Sequence, residues 1–186
     1  MSEPSGTVGA ARIEPGGLRQ TGPAIWAFSH IAGRITGTNP PHIFTTLGRG
    51  RGLFWGWLHF SGKLMPGGRL PRRLTELVIV RVAHLRECGY ELDHHRRLAR
   101  RVGATAADLE RVVAGPSADG WTPAERAVLT AVDELVLSKD ITDETWAALR
   151  SSYEERRLVE LLLLVGNYDS LATTLLTLRV QPDNRR

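Results

Sequence analysis

Between Pro71 and Gly89, the apolar residues Leu74, Leu77, Val78, Val82 and Leu85 recur at the three- and four-residue spacing of a helix face. No stretch of useful length alternates apolar with polar residues, so the chain reads as an all-α, single-domain helical bundle. Gly89 predicts a break near 86–89, and a second helix is expected from about Cys88 to Arg101, stopped by Gly103. Such a break lets the earlier helix lie beside the later one, which decides which side chains can meet.

Other helices are marked by their ends. Residues 24–35 predict a short helix ended by Gly37, and Asn39-Pro40-Pro41 opens another over HIFTTLGRG. The aromatic-rich run 53–64 follows at helical spacing. Thr105 with Asp108 caps 106–114, and residues 115–120 form a loop. Thr122-Pro123-Ala124-Glu125 combines a hydroxyl cap, a first-turn Pro and a Glu that reaches back, so it starts a helix running to about Ser138. Thr142 caps 143–152, and a last helix spans about 154–178. Residues 1–23, rich in Gly, Pro and Ser, are expected to be flexible, with the domain over 24–180 and a tail over 181–186.

Composition narrows the function classes. The 186 residues can bury a core without a disulfide or metal staple, and one Cys excludes an intrachain disulfide and suits a reducing compartment. No stretch of 18 apolar residues occurs, and the run LVELLLLV at 158–165, interrupted by Glu160, reads as a buried helix. The N-terminus lacks a basic and then apolar leader, so the expected location is the cytoplasm. Net charge is +4, but the arginines are scattered in pairs without interleaved aromatics, which argues for solvated faces and ion pairs rather than nucleic-acid binding.

The chemistry concentrates in ECGYELDHH, residues 87–95. On one helix, Cys88, Glu91 and His95 share a face, while Asp93 and His94 point elsewhere. A break just before them would return Glu76 of the earlier helix to the group; the placement of His84 stays open. It would also put Cys88 at a helix N-terminus, where the dipole favours a thiolate and an ionised Glu91. His95 could then hydrogen-bond Glu91, an arrangement common in acid–base catalysis. Each residue has a plainer reading. Cys88 could be a small buried hydrophobe, Glu91 and His95 a surface pair, Glu76 the partner of Arg72, Arg73 or Arg81, and Trp55 and Trp57 core or interface residues.

The segment LTELVIVRVAHLRECGYELDHHRRLARRVG resembles the signature of the carboxymuconolactone decarboxylase family, which includes the alkylhydroperoxidase D-like proteins. Glu76, eleven residues, Cys88, two residues, Glu91, three residues and His95 repeat the spacing of the thiol peroxidase branch, with Glu91 where that branch has a second Cys. The segments WTPAERAVLTAVDEL, ITDETWAAL and LLLLVGNYDSLATTLL are similar to the family as well. The resemblance implies an all-helical fold of the alkylhydroperoxidase D type, assembled as dimers, trimers or hexamers with sites near subunit interfaces. It implies a small-molecule substrate and no cofactor. The expected catalytic residues are Glu76, Cys88, Glu91 and His95, with His95 and Glu91 as the acid–base pair, Glu76 orienting one of them and Cys88 a polarising or packing neighbour; His84, Arg81 and Trp57 are substrate-binding candidates, Arg81 for a substrate carboxylate and Trp55 or Trp57 as a lid.

Three functions fit. The first is an acid–base enzyme carrying out decarboxylation or a related proton transfer on a carboxylated lactone or enol-like compound. The second is a one-Cys peroxidase using Cys88, and the third a non-enzymatic oligomeric binding protein. A metal site at Glu91 and His95, completed by Cys88 or His84, is a weaker fourth.

Overall fold

The computed structural model describes residues 9–184, and the expectations for residues 1–8 and 185–186 lie outside them. Among the described residues the chain is helical and forms no β-strand. The ten α-helices are α1 Leu18–Thr21, α2 Pro23–Thr36, α3 His42–Leu47, α4 Gly52–Leu64, α5 Arg72–Leu85, α6 Gly89–Arg101, α7 Ala106–Ala114, α8 Pro123–Ser138, α9 Asp143–Arg150 and α10 Glu155–Leu178, with one 3₁₀ turn at Gly48–Gly50. The chain divides into two compact units, one of residues up to His59 together with those from Thr174, the other Phe60–Thr173.

In the first unit, Phe28, Phe44 and Phe54 meet edge to face, with ring centroids 5.2–6.1 Å apart. Residues 9–23, expected to be flexible, include α1. Their backbone is tied down by Gly16 N–H to the Thr45 carbonyl at 2.9 Å and Arg12 N–H to the Leu178 carbonyl at 3.0 Å. A Cβ at Gly16 would stand 3.0 Å from that same carbonyl oxygen and 2.9 Å from the Thr21 methyl, so any larger residue would push these neighbours back.

The second unit is built around α5, whose residues Leu74 to Ala83 are all buried. Leu77 and Val80 join Ala99 of α6, Leu109 and Val112 of α7, Trp121 and Leu129 in one apolar cluster. The caps fall where hydroxyl and carboxyl chemistry predicts. The Thr105 and Thr122 side chains accept from the N–H groups of Asp108 and Glu125, which reach back in turn, and Thr142 accepts from Thr145 N–H. Glu160, the one charge inside the LVELLLLV run, receives the N–H groups of Arg69 at 2.8 Å and Leu70 at 2.9 Å just before α5. α10, which carries the LVELLLLV run, is long and apolar enough by length and composition alone to cross a membrane, with a mean hydropathy of 1.4 over 18 residues, a property that the core helix of a folded domain shares. Only 39% of that window is buried, with Leu158, Leu161, Leu164 and Val165 inward and Val159 and Leu163 exposed.

The bend between α5 and α6 positions the site. The expected pivot, Gly89, is the first helical residue of α6. The left-handed residue is Glu87, at φ 53°. Glu87 N–H bonds the His84 carbonyl and Cys88 N–H bonds the Ala83 carbonyl at 2.8 Å. This is the paired closure of a helix C-terminus that usually employs glycine. A Glu there carries about 1 kcal/mol of backbone cost. The pair of bonds satisfies carbonyls that the helix end would otherwise leave open.

Candidate functional site

The buried face of α6 is Glu91, His95 and Ala99, so this helix turns two ionisable groups inward where an ordinary amphipathic helix would place aliphatic ones. α5, returning beside it, contributes Glu76, which is 0% exposed. The Nδ1 of His95 lies 2.8 Å from Glu76 Oε2. An ionised carboxylate can only accept, so Nδ1–H donates and Nε2 is left as the ring nitrogen available for proton transfer. Of the two carboxylates expected to orient His95, Glu91 along the helix and Glu76 across the break, the hydrogen bond is to Glu76.

Tyr168 of α10 completes the enclosure. Its ring stands edge-on to His95, with centroids 5.1 Å apart and planes at 89°. Burial, then the charges of Glu91 and Glu76, push the phenol far up, so its proton is retained. Sequence reasoning did not single out this residue, although it falls within the segment LLLLVGNYDSLATTLL; its place became visible only once α10 was laid against α6.

Glu91 is 2% exposed, and neither carboxyl oxygen has a hydrogen-bond partner among the described residues. The Cys88 thiol lies beside the carboxyl without a hydrogen bond of regular geometry and lowers its pKa slightly. Burial dominates and pushes Glu91 up from 4.5 to about 8. The expectation that the helix N-terminus holds Glu91 ionised is overturned, because a dipole effect confined to one turn is smaller than the cost of an unpaired buried charge.

The same contest decides Cys88. It sits at the N-terminal cap of α6 as expected, but it is 1% exposed. Burial and the neighbouring Glu91 push its thiol up to about 12, against the opposing pull of the Tyr90 and Glu91 N–H groups. The low-pKa thiolate anticipated from the helix position is not what this site provides. His94, half-buried beside the His95 ring, is lowered to about 3 by burial and then by the His95 charge.

The substrate-binding candidates from sequence lie elsewhere. Arg81 is buried, with Nε and Nη2 on Asp133 at 2.6 and 2.7 Å and Nη1 on the carbonyls of Val112 and Val113 at 3.0 and 2.9 Å. It holds α5, α7 and α8 together, and four of its five N–H donors, including the paired edge that would grip a carboxylate, are committed to these partners. His84 is half-buried, and the charges that act on it are those of Arg81, Arg96, Asp133 and Glu87, not those of the cluster. Trp57 belongs to the first unit, where it is half-buried and packs on Phe44 and Phe54 at 6.3 and 6.0 Å. Arg73 pairs with Asp108 at 2.8 Å and Glu125 at 2.5 Å. Of the arginines weighed against Glu76, only Arg72 approaches it, Nη2 to Oε1 at 3.5 Å.

Among the described residues, no three His, Cys, Asp or Glu side chains are arranged to hold a metal ion. An open groove of about 500 Å³ runs along α10, lined by Leu64, Val159 and Leu163 with Arg69, Arg156 and Glu160, and holds none of the expected site residues.

The model of the carboxymuconolactone decarboxylase family matches residues 51–134, which include α5 and α6. An uncharacterized protein, YdfG of Bacillus subtilis, is 30% identical over 101 residues, covering 53% of this chain and 69% of its own. A peroxidase-related protein from Ralstonia eutropha with the alkylhydroperoxidase core has the same fold, at TM-score 0.80 and 19% identity over 92% of each chain. So does the debrominase Bmp8, at 0.77 and 17% over 91% of each, and a cysteine-to-alanine variant of Bmp8 has been seen with 2,3,4-tribromopyrrole. The fold is thus that of the alkylhydroperoxidase D-like proteins, and the chain belongs to the carboxymuconolactone decarboxylase family.

Proposed function

We propose that this protein is a small-molecule acid–base enzyme that performs decarboxylation, or a related proton transfer, on a carboxylated lactone or enol-like substrate. The observation that carries the reading is the buried 2.8 Å Glu76–His95 pair on the same helix hairpin as Glu91, whose buried carboxyl oxygens have no partner among the described residues and whose pKa burial raises to about 8. An acid whose pKa burial raises, beside an imidazole bonded through Nδ1 to a carboxylate, is a usual arrangement for separate acid and base roles.

In this reading His95, its Nδ1–H fixed by Glu76, presents Nε2 as base or, once protonated, as acid. Glu91 supplies a neutral carboxyl. When the carbon–carbon bond to a carboxylate breaks, carbon dioxide leaves and the bonding electron pair stays on the substrate carbon. Glu91 or the imidazolium gives that carbon a proton, which solvent later replaces. Tyr168 closes one side against water, and the substrate's own carbonyl takes up the developing charge.

The test is release of carbon dioxide, or solvent-deuterium incorporation, from a panel of carboxylated lactones. His95→Asn and Glu91→Gln should each lower turnover at least about 100-fold, in line with the loss of a general acid or base. Cys88→Ala should retain most of it. Loss of activity confined to Cys88→Ala, with peroxide consumed at the expense of a thiol, would establish the thiol reading instead.

A further inference from the structure

Arg72 opens the first turn of α5 and differs from the neighbouring arginines of its unit. Arg73, Arg81 and Arg111 each hold a carboxylate at 2.8 Å or less. Arg72 makes one long contact with Glu76, at 3.5 Å, and its Nη1 is buried without a hydrogen-bond partner among the described residues. Its side chain as a whole is 38% exposed although Nη1 itself is buried, so the residue stands at the boundary between solvent and the cluster. It also acts on Tyr168 together with Glu91 and Glu76, which places it at the cluster and not on a remote face.

Two unsatisfied groups of opposite character therefore share one site: a guanidinium with an unused donor edge, and the Glu91 carboxyl with both oxygens unpaired and 2% exposed. A buried polar atom without a partner costs free energy that a ligand can recover. We propose that Arg72 is the substrate-binding residue for an anionic group, a small carboxylate in the first instance, and that it fills the role the sequence suggests for Arg81. A planar guanidinium matches a carboxylate with two parallel hydrogen bonds. Glu76 keeps its 2.8 Å bond to His95 throughout, since only the 3.5 Å contact has to yield. Neutral Glu91 offers a hydroxyl donor rather than a like charge, so a carboxylate can enter without repulsion from it.

This inference rests on the acid–base reading, and its test separates the two. Acetate and its neutral isostere acetamide are titrated at pH 7 and fixed ionic strength into protein carrying ¹⁵N-labelled histidine, and the His95 ring resonances are followed. Acetate should shift them saturably and acetamide should not. Arg72→Gln should weaken acetate binding about tenfold or more, Arg72→Lys less, and the surface variant Arg97→Gln not at all. If Arg72→Gln does not fold, Arg72→Lys carries the test, and unchanged acetate affinity in it overturns the proposal. Equal saturation in Arg72→Gln and wild type overturns it too, as does wild type with no saturable acetate response. In those cases a Glu91 carboxyl that still titrates near 8 leaves the acid–base reading standing, whereas a Glu91 titrating near 4.5 removes that reading itself.

Discussion

Replacing Glu91 with Gln should make the protein more stable at neutral pH. The folded state holds the Glu91 carboxyl at about 8 against an ordinary 4.5, so between those values it binds a proton that the unfolded chain has released. Stability then falls with rising pH across this window, by about 1.4 kcal/mol per unit. The cost is absent below pH 4.5, begins as pH rises through it, and reaches its full extent above pH 8. At pH 7 the penalty is about 3 kcal/mol, and above pH 8 about 5 kcal/mol. Gln and protonated Glu leave the same polar atoms unpaired, so their pH-independent costs nearly cancel. Denaturant melts of wild type and Glu91→Gln from pH 4 to pH 9 measure the difference. The two should coincide near pH 4 and diverge to about 3 kcal/mol in favour of the variant at pH 7. Parallel curves over the whole range would refute the argument, because they would show Glu91 ionising as easily in the folded state as in the unfolded chain.

Four further outcomes follow from the same geometry. With its thiol raised from 9.0 to about 12, Cys88 should alkylate about a thousandfold more slowly at pH 7 in the folded protein than in urea; equal rates would show an accessible thiolate. His94, lowered to about 3, should show no titration between pH 5 and 8 in ring proton spectra. Arg81→Gln should cost about 3–5 kcal/mol by leaving Asp133 unpaired, and the double change Arg81→Met, Asp133→Leu should recover part of it in thermal melts. Glu87→Gly should stabilise by about 1 kcal/mol, since glycine takes a φ of 53° without the clash that Glu carries, with unfolding free energy as the readout.

Helix ends were legible because they depend on one or two residues whose side chains act locally. Thr105, Thr122 and Thr142 cap the helices they were read to start, and Gly103, at φ 95°, follows α6. The break ahead of α6 was legible too, and it is what brings Glu76 to His95 across nineteen positions. The residue that turns the chain was not, because a left-handed Glu87 is held by the closure bonds around it and leaves no compositional mark.

The charge states were misread for one reason. A helix N-terminus is visible in a sequence, whereas the depth of burial that outweighs it at Cys88 and Glu91 depends on what the folded chain packs over them. Arg72 and Arg81 look alike on α5. What separates them is that Asp133 and two carbonyls occupy Arg81, whereas nothing matches Arg72 beyond a long contact to Glu76.

The central claim is that a neutral carboxyl waits beside the Glu76–His95 pair, and the most direct measurement is a titration of that carboxyl itself. With ¹³C-labelled glutamate, the side-chain carboxyl resonance missing from Glu91→Gln identifies Glu91 in the wild type. The account predicts a midpoint near 8, well separated from the surface glutamates; a midpoint near 4.5 would contradict it.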